Sequence, residues 1–198
     1  EKYLRTLEHL GSGSLISDVS QYTLNNLQKS YAQLDQGTVE QIVDILLRSD
    51  RKYIAGFRGT ACCAQYMASK LLFLTPHVVP ILHADATAVE NLLDITERDC
   101  LFLYSFPRYS EIARPLMEIA RESGAKVILM TDRRTSPLAN KADVVVTAQV
   151  DGLGFTNSYV APLSLSEVIL LSVSGRKDVK DSKRFNRIDS VMEREKLY

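Results

Sequence analysis

The sequence predicts an α/β protein: a three-layer α/β/α arrangement on a five-stranded parallel sheet in the flavodoxin-like order 2-1-3-4-5, with extra helices at both ends. Three observations predict it. From Lys52 onward, short apolar runs alternate with stretches of helical spacing, the pattern of strand–helix–strand units whose strands pair in parallel. The runs Val127-Ile-Leu-Met130 and Val144-Val-Val146 are apolar without interruption, as strands covered on both faces are. The 198 residues, 45% of them hydrophobic, suit one domain with a substantial core.

Residues 1–50 have helical spacing throughout. Gly11-Ser-Gly-Ser14 parts a first short segment from a second carried by Leu24, Leu27, Tyr31 and Leu34. Asp35-Gln-Gly-Thr38 parts the second from a third carried by Val39, Ile42, Val43, Leu46 and Leu47, with Thr38 as its N-cap. An amphipathic helix ahead of an α/β unit packs either on that unit or on a second subunit.

Strands are expected at 53–57, 78–82, 100–104, 126–130 and 144–148. Between them fall helices at 60–74, 86–93 behind Asp85, 111–123 closed by Gly124, and a short one at 136–141. Pro115 sits too deep for a helix capped by Ser110, because only the first few N–H groups of a helix lack partners. Either the first turn is irregular or the regular helix starts nearer Arg114. Residues 158–174 form a further, largely buried helix, in which Pro162 kinks the chain or delays the start. The tail from Arg176 carries eight Lys/Arg against five Asp/Glu and one amphipathic pattern, Phe185, Ile188, Val191 and Met192. It reads as a solvated helix.

The formal net charge of zero gives no global pull toward nucleic acid or an anionic membrane. No apolar run reaches the roughly 20 residues of a membrane helix, and no signal peptide opens the chain. Three cysteines, Cys62 and Cys63 adjacent, make no disulfide framework and fit reduced thiols in an intracellular protein. None has zinc-site spacing, and His9, His77 and His83 do not complete a site, so no metal is expected. No Walker or dinucleotide fingerprint is present, and no cofactor is expected. The chain starts at Glu1 rather than Met, as a fragment separated from an N-terminal partner would.

In open α/β sheets, ligands lie beyond the carboxyl ends of the strands where strand order reverses. For the order 2-1-3-4-5 that point is between the first and third strands, followed by Phe57-Arg-Gly-Thr60 and Ser105-Phe-Pro-Arg-Tyr-Ser110. Both loops hold an arginine, a hydroxyl residue and a helix start, the components of an anion site. Gly59 allows close backbone approach, and Thr60 caps the helix or contacts the anion. Ser105 and Ser110 offer hydroxyls, Arg58 and Arg108 offer charge, and Arg108 can grip a phosphate or carboxylate at two points. Tyr109 can stack on a sugar ring. Singly, each residue has an ordinary structural role; together at one switch point, they favour a ligand site. His83, Glu90 and Glu167 are the general bases a catalytic alternative would draw on.

These residues carry a resemblance. Lys52 to about Ser174 resembles the SIS (sugar isomerase) domain, a five-stranded parallel sheet that binds phosphosugars. The usual second loop there runs Ser-x-Ser-Gly-x-Thr; here Ser105 and Ser110 match its ends, while Pro107 and Arg108 replace the middle serine and the glycine. More narrowly, Gly56-Phe-Arg-Gly-Thr60, Ser105-Phe-Pro-Arg-Tyr-Ser110 and Phe155-Thr-Asn-Ser-Tyr-Val-Ala-Pro-Leu163 resemble the effector domain of RpiR/MurR-type bacterial transcriptional regulators. The resemblance implies residues 1–50 as a helical linker and dimerisation segment, 51–175 as the phosphosugar-binding domain, and 176–198 as a helical tail. It also implies a cytoplasmic, non-catalytic homodimer or higher homo-oligomer. Ligand contacts would come from Arg58, Gly59, Thr60, Ser105, Phe106, Arg108, Tyr109 and Ser110, and DNA contact only from a helix-turn-helix domain absent from this chain. The alternatives are an aldose–ketose sugar-phosphate isomerase and a domain that has lost its ligand and only dimerises.

Overall fold

In the computed structural model, which describes residues 15–154, 156–180 and 183–196 apart from the side chains of residues 177, 178 and 185, five parallel strands form one sheet. They are β1 (Lys52–Gly56), β2 (Val78–Ile81), β3 (Cys100–Tyr104), β4 (Lys126–Thr131) and β5 (Val144–Thr147), in the expected order β2-β1-β3-β4-β5. β1 and β3 are buried along their whole length. Successive side chains of a strand point to opposite faces, so each strand feeds two cores. Phe102 and Tyr104 join Ile128, Met130 and Val146 on one face; Leu101 and Leu103 join Tyr53, Val127 and Leu129 on the other. The single proline of a strand, Pro80, falls on edge strand β2, where an absent N–H costs least.

The helices are α1 (Leu15–Gln33), α2 (Gln36–Arg48), α3 (Ala61–Leu74), α4 (Ala86–Glu90), α5 (Ala113–Glu122), α6 (Val160–Ser174), α7 (Lys177–Lys180) and α8 (Lys183–Arg194). Helices α2, α3 and α6 cover the first face through Ile42 and Leu46, Cys63 and Met67, and Leu165 and Ile169. Helix α5 covers the second through Leu116 and Met117, with Leu92 beside them. This is the three-layer architecture expected.

Several local expectations change. Asp35, not Thr38, caps α2: its carboxylate accepts from Thr38 N at 2.9 Å and from Thr38 Oγ1 at 2.6 Å. A carboxylate at the N-cap satisfies the orphan N–H and complements the helix dipole, which places Thr38 inside the first turn. Regular helix in the 111–123 stretch starts at Ala113, which puts Pro115 among the first N–H groups that need no partner. Ser110 therefore precedes the helix and is not its cap; its carbonyl accepts from Ala113 N at 3.1 Å. Pro162 is accommodated the same way, since α6 begins at Val160. The 136–141 helix is only a 3-10 turn, Ala139–Lys141, and α4 stops at Glu90 rather than Leu93. Gly124 closes α5 with φ +80°.

Helix α1 docks differently from its apolar pattern. Leu24 and Tyr31 are exposed, while Asn26 and Ser30 are its buried residues. Asn26 Nδ2 donates to the Asp151 carbonyl at 2.6 Å, Gln149 N donates to Ser30 Oγ at 2.8 Å, and Thr147 Oγ1 donates to Gln33 Oε1 at 2.5 Å. The spacing of 26, 30 and 33 follows one helix face, so a polar seam fastens α1 to the chain leaving β5. The Gly11–Ser14 break and the segment before it lie outside the described residues, as does the side chain of Phe185 in the tail pattern.

The sheet edge opposite the carboxyl ends is tied by Asp99, which is 1% exposed. It accepts from Arg51 N (2.9 Å), Arg51 Nη2 (3.0 Å), Thr96 N (2.8 Å) and Thr96 Oγ1 (3.0 Å). Burial alone would raise the pKa of this carboxyl, but the hydrogen bonds from Thr96 and Arg51 together outweigh it and hold it below its ordinary range.

Candidate functional site

The pairing of β1 with β3 sets Gly56 beside Tyr104, so the two loops that follow leave the sheet at the same level. They then part. The first feeds α3 on one face of the sheet, and the second feeds α5 on the other. The gap between them is a cleft of about 250 Å³. It is lined by Phe57, Arg58, Gly59, Thr60, Tyr104, Ser105, Phe106, Pro107, Arg108, Ser110 and Ala113, and by Thr156, Asn157 and Tyr159 from the connection to α6.

Each loop is built by identifiable local chemistry. Gly56 has no room for a side chain: a Cβ there would lie 2.6 Å from the Thr60 carbonyl oxygen and 3.0 Å from Ala64 Cβ. That closeness lets the chain turn directly from strand to helix through the 3-10 turn Arg58–Thr60. Thr60 locks the turn, its hydroxyl accepting from Phe57 N at 2.8 Å and donating to the Phe57 carbonyl at 2.9 Å. Thr60 stands at the N-cap position of α3 but makes no side-chain cap bond to it; its buried hydroxyl is engaged by the Phe57 backbone instead. A Cβ on Gly59 would meet Tyr159 Cε2 at 2.8 Å and Oη at 2.9 Å, so the tyrosine forms the cleft wall against a glycine.

The second loop is held by contacts at its back. Asn157 Nδ2 donates to the Pro107 carbonyl at 3.3 Å, and the Phe106 ring packs edge-on against Tyr159 with centroids 6.0 Å apart. Tyr104 beneath it bonds Ser166 Oγ at 2.7 Å, and Ser166 donates to the Pro162 carbonyl at 2.8 Å, which joins the cleft floor to α6. Burial raises the pKa of the Tyr104 and Tyr159 hydroxyls. Tyr109 is the predicted residue that does not line the cleft. Its hydroxyl donates to Asp132 Oδ1 at 2.7 Å, and burial together with that bond pushes its pKa up to about 12.

Three features give the cleft its character. Ser105 is 4% exposed, and its Oγ has no hydrogen-bond partner among the described residues. Buried hydroxyls are nearly always paired, so an orphan on a cleft wall is suited to a ligand. The lining reaches the first residues of three helices, at Thr60 before α3, Ala113 of α5 and Tyr159 before α6, each the positive end of a helix dipole. Finally, among the described residues Arg58 and Arg108 are the charged members of the lining, and no Asp, Glu or His is among them. Both arginines have left-handed backbone, φ 55° and 67°, a region that L-residues enter at a cost of roughly 1–2 kcal/mol. Arg108 occupies the position where the resembled loop has glycine, which explains why glycine is usual there.

His83, Glu90 and Glu167 lie outside the lining; His83 sits in a separate hollow at the end of β2 with Asp85 and Asn91. Thr156, Asn157 and Tyr159 were not among the predicted contacts. The signal for them was the third segment of likeness, residues 155–163, a polar connection between β5 and a helix. Among the described residues, no group of three or more His, Cys, Asp or Glu could hold a metal, and no helix is long and apolar enough to cross a membrane.

Known proteins share this architecture. The RpiR transcription factor of Sphaerobacter thermophilus (its sugar isomerase domain) superposes with a TM-score of 0.84 at 22% identity, over 91% of this chain and 99% of that one. The Vibrio vulnificus NanR protein, complexed with ManNAc-6P, gives 0.77 at 16% identity, over 94% of this chain and 72% of that one. A protein of Listeria monocytogenes described as a putative sugar-phosphate isomerase gives 0.70 at 16% identity, over 80% and 86%. No curated protein sequence matches significantly. The SIS domain family model matches residues 45–172, well over half of the sequence and the whole span from β1 to the body of α6, and the chain belongs to the SIS domain family.

Proposed function

We propose that the cleft is the effector site of a bacterial transcriptional regulator, and that it binds a phosphosugar or related anionic carbohydrate derivative without turning it over. The observation that carries this reading is the buried hydroxyl of Ser105, unpaired among the described residues, in a cleft with two arginines, three helix N-termini and no acidic residue among its described lining. Residues 51–175 form the sensing domain, 1–50 link it to a DNA-binding helix-turn-helix domain, and 176–198 are a helical tail. The likeness to the RpiR and NanR structures supports the regulator class. Exposed apolar residues on α1, with Ile16 at 88% and Leu24 at 52%, support a homo-oligomer. A cytoplasmic location follows from such a role.

The second reading, an aldose–ketose isomerase, is favoured by the shared fold of the Listeria protein. Against it stands the absence of His83, Glu90 and Glu167, the general bases it would draw on, from the cleft lining. Calorimetry with ManNAc-6P, glucose 6-phosphate and arabinose 5-phosphate, run beside coupled isomerase assays on the same sugars, separates the two. Binding without turnover is expected. Turnover abolished by substituting one of the three bases would establish the isomerase, and no binding across the panel would remove the phosphosugar reading.

A further inference from the structure

We propose that Cys62 and Cys63 form an oxidisable thiol pair, a modification site for hydroperoxides whose closure into a disulfide opens one wall of the cleft. The two cysteines are the second and third residues of α3, directly after the loop 57–60. Cys62 is exposed and Cys63 is buried, and their sulfur atoms lie 3.9 Å apart. An accessible thiol with a second thiol beside it is the arrangement in which a first oxidation proceeds to a disulfide. Cys100, the remaining cysteine, is buried at the start of β3, the end of that strand away from the cleft. The pair belongs to the turn that builds the cleft. Cys62 Sγ donates to the Gly59 carbonyl at 3.1 Å, and Gly59 is the residue against which the Tyr159 ring rests. Cys63 is close to the cleft floor as well: the Tyr104 and Tyr159 hydroxyls, raised chiefly by burial, are raised further by its thiol.

The chemistry is a two-electron oxidation. The Cys62 sulfur attacks a hydroperoxide and breaks its O–O bond, which leaves a sulfenic acid on Cys62 and releases water or an alcohol. The Cys63 sulfur then attacks the sulfenic sulfur; the S–S bond forms, and the hydroxyl departs with the thiol proton as water. Two features hold this second step back while α3 is intact. Burial raises the pKa of the Cys63 thiol, and the thiolate is the nucleophile. Neighbouring Cα atoms are also only about 3.8 Å apart, whereas a disulfide spans about 4.4–6.8 Å. Closure therefore runs through the frayed first turn of α3, where Cys63 meets water, and the bond then fixes that turn open. Gly59 loses its bond from Cys62, and the support behind the Tyr159 wall goes with it. A disulfide under such strain is readily reduced, so the change is reversible.

The experiment treats the full chain with excess hydrogen peroxide and no sugar, then unfolds it and counts thiols by alkylation. The count is expected to fall from three to one, with the chain still monomeric on a non-reducing gel and all three thiols restored by dithiothreitol. Cys62→Ser is expected to keep both of its remaining thiols, and Cys63→Ala to stop at a Cys62 sulfenic acid trapped by dimedone. Hydrogen exchange then reads the cleft. In the oxidised parent, the amides of 60–64 and 157–160 are expected to exchange at least about tenfold faster than in the reduced protein. Peroxide-treated Cys62→Ser is expected to match the reduced protein. Retention of three thiols, a disulfide-linked dimer, or thiol loss in Cys62→Ser would overturn the pair. Closure of the pair with unchanged exchange at both segments would overturn its hold on the cleft. Neither readout uses a sugar, so the phosphosugar reading stands or falls separately.

Discussion

Replacing Ser105 by alanine should move stability and affinity in opposite directions. The hydroxyl is buried at 4% exposure with no partner among the described residues. An unpaired polar group in such a place costs about 1–3 kcal/mol of desolvation. Alanine removes that cost and leaves a gap of one oxygen atom, which forfeits only a few dispersion contacts. The net expectation is a gain of about 1 kcal/mol, or roughly 2–4 °C in melting temperature for a domain of this size. With ligand the balance reverses. A hydroxyl donating to a phosphate oxygen contributes about 1.5–3 kcal/mol, so its loss should weaken binding by roughly 10- to 100-fold. Urea melts of the free protein and calorimetry with the tightest-binding phosphosugar of the panel give the two numbers. A Ser105→Ala protein that melts lower than the parent would mean the hydroxyl is satisfied within the fold. Undiminished affinity would mean that it does not face the ligand. Either result refutes the reasoning.

Other substitutions probe the scaffold. Gly59→Ala drives a methyl group into the far end of the Tyr159 ring, which can swing aside; stability should fall by no more than about 1.5 kcal/mol, while ligand affinity drops at least tenfold as the wall moves. Gly56→Ala meets backbone instead, at the Thr60 carbonyl, and should cost about 2–3 kcal/mol in a urea melt, with the site disordered as well. Asp99→Asn loses the charge that binds Arg51 and should cost about 2–3 kcal/mol at neutral pH. Because the folded Asp99 carboxyl is held below its ordinary value, its contribution is complete above about pH 4 and is lost as the pH falls through the folded value. The parent should therefore lose stability more steeply than Asp99→Asn below about pH 4, and parallel acid titrations of melting temperature would show otherwise if the shift were absent.

The sheet was legible because its strands are buried on both faces and so read as unbroken apolar runs, with glycine and polar residues between them. The switch point then placed Arg58 and Ser105 in adjacent loops. What the spacing did not show was the third wall. Thr156, Asn157 and Tyr159 follow β5, an edge strand far from the switch point in strand order, and reach the cleft only because their connection runs back over the sheet. Tyr109 misled for a local reason: the left-handed backbone at Arg108 reverses the direction of the chain, and the ring turns toward Asp132 instead of the ligand space. The docked face of α1 was hidden because apolar periodicity marks burial only where a seam is apolar. Here Asn26 and Ser30 are buried while Leu24 and Tyr31 face out.

That seam has a mechanical consequence. An apolar helix face can creep along its neighbour, since dispersion contacts are non-directional and one methyl group substitutes for another. The bonds of Asn26, Ser30 and Gln33 to Asp151, Gln149 and Thr147 are directional and partly buried, so a small slide breaks them together. Each stranded buried group would then cost about 1–3 kcal/mol. Helix α1 is therefore indexed rather than greased: it holds one axial setting until the strain exceeds several kcal/mol, and then lets go of all three bonds at once. The stretch it grips, 147–151, leads within a few residues to Thr156 and Asn157 on the cleft wall.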